Sequence, residues 1–163
     1  MAEFFREWAP HGVDRVYNLV RIGYFDDNAF FRVMDGFVAQ FGLSGDSRAS
    51  TVWSAALLPR DPRTQSNTKG TLAFAKGAQP GTRATQLFVN LADNPGLDKL
   101  DFAPVGRVVE GLDVVQALYS GYGDGPPGGR GPDQRALKTM GNAYLQRGFP
   151  RLDYIKRAEL IEK

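Results

Sequence analysis

The sequence has no cysteine and a single histidine, His11. Disulfides, thiol nucleophiles and cysteine-ligated metals are excluded, and a multi-histidine metal site cannot be assembled. No metal is expected. No apolar run approaches the roughly 18 residues of a membrane span, so no membrane partner is expected either. The opening MAEFFREWAP lacks the basic and apolar regions of a secretory signal. The chain as given suits the cytoplasm; a secreted or periplasmic protein trimmed at its N-terminus would read the same. Charge of one sign is also scarce. Twenty basic residues against 18 acidic ones leave a formal net charge of +2, scattered rather than striped. A nucleic-acid footprint needs a basic face, so no nucleic acid is expected.

What the chain does have is bulk for a core: eleven Phe, six Tyr and two Trp in 163 residues. That length fits one domain, 1–163. WAPHGVDRVYNLVRIGYF reads as a helix, with Val13, Val16, Tyr17 and Val20 on one stripe, Pro10 near its start and Gly23 near its end. AFFRVM and FVAQFG flank the turn dipeptide Asp35-Gly36. GTLAFAKG and QLFVNLA read as strands joined by the turn AQPGTRAT, and FAPVGRVV as another. The polar, proline-punctuated SGDSRASTVWSAALLPRDPRTQSNTK reads as a long ordered loop. EGLDVVQALYSGYG predicts a second helix, with Leu112, Val115, Leu118 and Tyr119 apolar and Gly121 as its cap. A weaker third helix runs through Leu137, Met140 and Tyr144, and LDYIKRAELIEK alternates like a strand. Helices outside a mainly antiparallel β core are expected.

Two motifs mislead. Gly123-Asp124-Gly125-Pro126-Pro127-Gly128 matches the dinucleotide fingerprint, but its prolines replace backbone donors and no β-α-β unit surrounds it. A surface loop is expected. Asp93, Asp98 and Asp101 lack calcium-loop spacing and read as a solvated loop.

Arg32 is different. It stands in the apolar stretch FFRVMDGFVAQFG, and a charge there must be paired or must face a wet cleft. A snorkelling arginine at a strand edge is the plainer reading. Gln40 offers another. A three-residue loop, Asp35-Gly36-Phe37, puts Arg32 opposite Gln40, whose amide oxygen can orient the guanidinium; a two-residue loop puts it opposite Ala39.

FFRVMDGFVAQFG resembles the signature of cyclophilin-type peptidyl-prolyl cis-trans isomerases. GTLAFAKGAQPGTRATQLFVNLADNPGLD resembles the second family signature, and APVGRVVEGLDVVQAL a third stretch, in the family's order. The loops SGDSRAS and GYGDGPPGGRGPDQ look like a bacterial branch. The resemblance implies a mainly β fold: an eight-stranded antiparallel cyclophilin-like barrel, closed or partly open, capped by two helices, with its groove on the outer face. It implies an enzyme that rotates X-Pro bonds and assists protein folding without a cofactor; the alternative is a cyclophilin-fold module that binds X-Pro segments with little turnover. Its partners would be proline-containing peptides and unfolded proteins.

Position by position, the catalytic arginine falls on Arg32 and its orienting glutamine on Gln40. The substrate residues fall on Phe37, Val38, Gln86, Phe88, Leu97 and Phe102, and the peptide-holding backbone on Ala75 and Lys76. Departures are Phe31 in place of a histidine, which would make the groove edge more apolar, Gly96 or no counterpart at all where an aromatic is usual, Phe102 for the late histidine, and Leu87 for phenylalanine. Only MAEFFREW precedes Ala9-Pro10, room for about one short strand at ~3.3 Å per residue, where the family has two. A barrel one strand short would leave an open edge able to pair with a second copy, and lower stability is expected.

Overall fold

The computed structural model describes residues 1–79 and 81–161. In chain order these form β1 (Ala2–Phe4), α1 (Pro10–Arg21), β2 (Asn28–Ala29), β3 (Arg32–Met34), β4 (Val38–Phe41), α2 (Ser47–Ala55), β5 (Thr71–Phe74), β6 (Leu87–Asn90), α3 (Pro95–Lys99), β7 (Pro104–Val108), α4 (Leu112–Gln116), α5 (Gln134–Met140), α6 (Asn142–Gly148) and β8 (Tyr154–Ile155). Six strands make one antiparallel sheet in the order β1-β7-β5-β6-β4-β3, and β2 pairs with β8. An isolated bridge between Val33 and Gly123 ties β3 to the glycine-rich loop. This is the mainly β architecture expected, with helices packed around it. Pro80, in the turn expected between β5 and β6, and Glu162 and Lys163, at the end of the terminal stretch expected as strand, lie outside the described residues.

Side-chain alternation divides the central strands between two faces. Phe41, Leu72, Phe74, Leu87 and Val89 point into the main core with Val16, Leu19 and Val105. Val38, Ala73 and Phe88, one step out of phase, form a second apolar cluster on the opposite face. Every residue of β4, β5 and β6 is buried because both faces are covered.

Helix α1 closes the main core, though through a stripe rotated from the expected one. Gly12, Val16 and Leu19 face the sheet, at i, i+4, i+7, while Tyr17 is 48% exposed. The reason is a close approach: a Cβ at position 12 would lie 2.7 Å from Val105 Cγ1. The first turn's amides at His11 and Gly12 donate to the Asp61 carboxylate at 3.0 and 2.9 Å, which supplies the missing N-terminal acceptor from the long loop. Asp61 also pairs with buried Arg83.

Other expectations need correction. The stretch expected as loop contains α2, started by Asp46, whose carboxylate accepts from Arg48 N at 2.8 Å. Its Ser50 is buried and Ala49 and Trp53, one turn apart, pack half-buried against the main core, a short stripe set among Ser, Thr and Arg residues. The second helix stops at Gln116, well short of Gly121. The third is two helices, split at Gly141, whose φ of +62° breaks the path and whose missing Cβ makes room for the Gly45 carbonyl. Leu137 and Leu145 are buried and Met140 is 53% exposed. Among the described residues of the terminal stretch, only Tyr154–Ile155 pairs as strand.

Candidate functional site

The β3–β4 hairpin turns on the three-residue loop, with Gly36 at φ +68°. Met34 pairs with Val38 and Arg32 with Gln40. The register puts both polar side chains on the outer face, next to Phe88, which lies opposite Gln40 across β4 and β6. Arg32 is therefore neither a core charge nor a loose edge residue; its side chain is 20% exposed and held on two sides.

One side is the glutamine pair. Arg32 Nη1 donates to Gln40 Oε1 at 3.1 Å, and Gln40 Nε2 donates to Gln86 Oε1 at 2.7 Å. The other is Asp124. Arg32 Nε and Nη2 donate to its two carboxylate oxygens at 2.7 and 3.2 Å, a side-on fork. The hydrogen bond from Arg32 pulls the Asp124 carboxyl below its ordinary pKa; burial opposes it, and the arginine's charge and the Gly125 amide reinforce it. Three of the five guanidinium N–H groups are thus engaged, and one on each terminal nitrogen has no partner among the described residues. The guanidinium carbon also stands 5.9 Å from the centre of the Phe37 ring.

Beside this charged corner lies the apolar patch. Val38, Ala73 and Phe88 are its buried floor, and half-buried Phe37, Ala75, Leu97 and Phe102 are its walls. Phe88 and Phe102 meet edge to face at 5.6 Å. Lys76 Nζ stands 4.8 Å over the Phe102 ring at the rim. Ala75 N donates to Gln86 O at 2.9 Å. The Ala75 carbonyl and the Lys76 amide have no partner among the described residues. The ten expected site residues lie in the charged corner, in the adjoining apolar patch or at its rim.

A buried amide network sets the walls. Asn90 Nδ2 donates to Asn67 Oδ1 (3.2 Å) and Thr71 Oγ1 (2.9 Å). Asn67 Nδ2 donates to Asp98 Oδ1 (2.8 Å) and to the Phe102 carbonyl (2.9 Å). Asn94 Nδ2 reaches the Phe37 carbonyl at 3.0 Å and Asn90 Oδ1 at 2.8 Å. Phe37, the α3 turn bearing Leu97, and Phe102 are thereby tied to β6. Asp98, expected in a solvated loop, is a working acceptor, as is Asp93 for Lys69 N. Asp101 pairs with Arg60.

Two departures also read differently in three dimensions. Phe31 is 1% exposed in a separate cluster with Leu43, Leu137 and Leu145, so it lines no groove edge. Gly96 lies exposed on α3 with open space around it. Sequence reasoning missed Ala73, Asn67, Asn90, Asn94 and, above all, Asp124. Among the described residues no group of three metal-ligating side chains comes together, and no helix is long and apolar enough to cross a membrane.

Residues 1–139 match the family model described as cyclophilin type peptidyl-prolyl cis-trans isomerase/CLD. This chain belongs to that family. The peptidyl-prolyl cis-trans isomerase of Acinetobacter baylyi is 28% identical over 71% of this chain and 64% of its own length. A probable peptidyl-prolyl cis-trans isomerase of Brucella abortus is 30% identical over 69% and 62%. The chain thus spans less than two thirds of these cyclophilin-type relatives. A Cryptosporidium parvum cyclophilin type peptidyl-prolyl cis-trans isomerase, its crystal structure determined in the presence of the dipeptide Ala-Pro, has the same fold. Its TM-score is 0.62 and its identity 17%, over 82% of this chain and 84% of that one.

Proposed function

We propose that this chain catalyses cis-trans isomerisation of X-Pro bonds in peptides and unfolded proteins, with Arg32 as the catalytic group. One observation carries the reading: a fixed guanidinium with two unengaged N–H groups borders an apolar patch floored by Val38 and Phe88.

Amide resonance puts a barrier of ~18–20 kcal/mol on the rotation. In the twisted state the prolyl nitrogen pyramidalises and regains its lone pair. A donor aimed at that lone pair stabilises the transition state and not the planar amide. The proline ring lies on the Val38–Phe88 floor between Phe37, Leu97 and Phe102. An N–H of Arg32 then meets the nitrogen, while the Ala75 carbonyl and Lys76 amide hold the preceding residues extended. Gln40, itself held by Gln86, positions the guanidinium. An acceleration of about 10⁵ asks for ~7 kcal/mol, within reach of positioning plus one charged donor. No proton transfer, nucleophile or cofactor enters this scheme.

The dipeptide Ala-Pro, in whose presence the Cryptosporidium crystal structure was determined, has the chemistry this patch would take. Exchange of an X-Pro peptide followed by NMR tests the reading: acceleration supports it, and binding without acceleration assigns the chain to the X-Pro-binding alternative. Self-association belongs to the same proposal, because β1 ends the six-stranded sheet and end strands are templates for pairing. Sedimentation gives the answer, a concentration-dependent dimer supporting it and a monomer at all concentrations removing it.

A further inference from the structure

We infer that Asp124, carried on the glycine-rich loop far from the hairpin in sequence, is a positioning residue that holds Arg32 in its productive orientation. This rests on the isomerase reading above.

Gly123 forms the bridge to Val33, the residue after Arg32, so the next loop residue is delivered beside the guanidinium. The chain then wraps around Asp124 itself. Gly131 N donates to the Asp124 carbonyl at 2.8 Å, and Gly125 N donates to its carboxylate at 2.8 Å. A Cβ at Gly129 would lie 2.2 Å from the Asp124 carbonyl oxygen, and one at Gly131 2.9 Å from it. Side chains at these positions would push the loop off. The glycines that imitate a nucleotide-binding fingerprint and those that follow it serve to clasp one aspartate.

The clasped carboxylate does what Gln40 alone cannot. A single acceptor on Nη1 leaves the guanidinium free to swing about that contact. The fork on Nε and Nη2 fixes its plane. The engaged edge is the one facing the loop, and the unengaged N–H groups are on the terminal nitrogens. Displacements of about 1 Å at a catalytic group can cost about 10²-fold, so orientation is worth more here than the charge Asp124 partly neutralises. The opposite role, a carboxylate that masks Arg32, predicts the opposite sign and is tested by the same variants.

The experiment measures kcat and KM for an X-Pro peptide with the parent chain, D124N, D124A and Arg32→Ala, together with the Arg32 Nε–H NMR resonance. D124N keeps the size of the side chain and an oxygen for the Gly125 amide, so it guards against loss of the loop. The expected result is a fall in kcat of about tenfold in D124N and more in D124A. KM stays within about twofold, because the apolar patch is untouched; the protected Arg32 Nε–H signal is lost in D124A, whereas D124N keeps the oxygen that accepts from Nε and loses the one that accepts from Nη2. A kcat that is unchanged or raised in D124N overturns the proposal, as does an Nε–H unprotected in the parent. Failure of the underlying isomerase reading looks different: the parent then turns over no faster than Arg32→Ala.

Discussion

Arg32 lies directly opposite Gln40 across the β3–β4 hairpin, and its Nη1 donates to Gln40 Oε1 at 3.1 Å. Gln40 is 6% exposed and passes the contact on to Gln86. A chain of polar groups therefore runs from β3 across β4 to the residue before β6, on a face otherwise lined with apolar side chains.

Replacing Gln40 with Leu removes one anchor of the guanidinium and leaves the Gln86 amide oxygen without its donor. We expect kcat to fall about tenfold with KM little changed, and stability to drop by about 1–2 kcal/mol. Steady-state kinetics and urea denaturation check the two parts. An unchanged kcat would mean that Asp124 alone suffices to hold Arg32.

Floor and wall of the patch should respond differently. Phe88 is 4% exposed, and Phe88→Ala should cost about 3–5 kcal/mol of stability. Phe102 is half-buried at the edge. Phe102→Ala should leave the melting temperature within a few degrees and raise KM severalfold. Thermal melts beside peptide kinetics separate the two; equal stability losses would contradict the assignment of floor and wall.

The amide network makes Asn67 a remote determinant of the groove. Asn67→Ala strips the Phe102 carbonyl and Asp98 of their buried donor, at a cost of about 1–3 kcal/mol. It should also broaden the Phe102 ring signals in NMR, since the wall loses its tie to β6. Sharp, unshifted Phe102 signals would show the wall to be held by packing alone.

The Asp124 carboxyl is depressed, chiefly by the Arg32 hydrogen bond, which fixes the sign of its pH dependence. The folded state binds this proton less readily than the unfolded one. The link is therefore fully present above the ordinary carboxylate pKa near ~3.9 and is lost as pH falls through the lower folded value. Protection of the Arg32 Nε–H should be constant from neutral pH down to that range and disappear below it. Loss of protection near pH 6 would point to another group.

Much of this site was legible in the sequence because it is built from local rules. Asp35-Gly36-Phe37 sets the hairpin loop, the loop sets the register, and the two-residue period puts Arg32, Gln40 and Phe88 on one face. The rest lies beyond such rules. Asp124 reaches Arg32 across 92 residues, and its loop reads as surface because glycines that clasp a carbonyl resemble glycines that merely turn. The Asn67–Asn90–Asn94 network is polar side chain on polar side chain, with no period to betray it. Helix α2 shows only a short apolar pair, Ala49 and Trp53, amid Ser, Thr and Arg residues in a proline-punctuated stretch. Tyr17 and Met140 fit helical stripes on paper, yet Gly12 and Gly141 set the contacts that turn them to solvent.

The most direct test of the account is X-Pro exchange in a short peptide, measured by NMR with the parent chain and with Arg32→Ala at matched folding by circular dichroism. The account predicts that the parent accelerates exchange and that Arg32→Ala loses at least about 10²-fold of that acceleration while still binding the peptide. Equal acceleration by both proteins, or none by a folded parent, would contradict it.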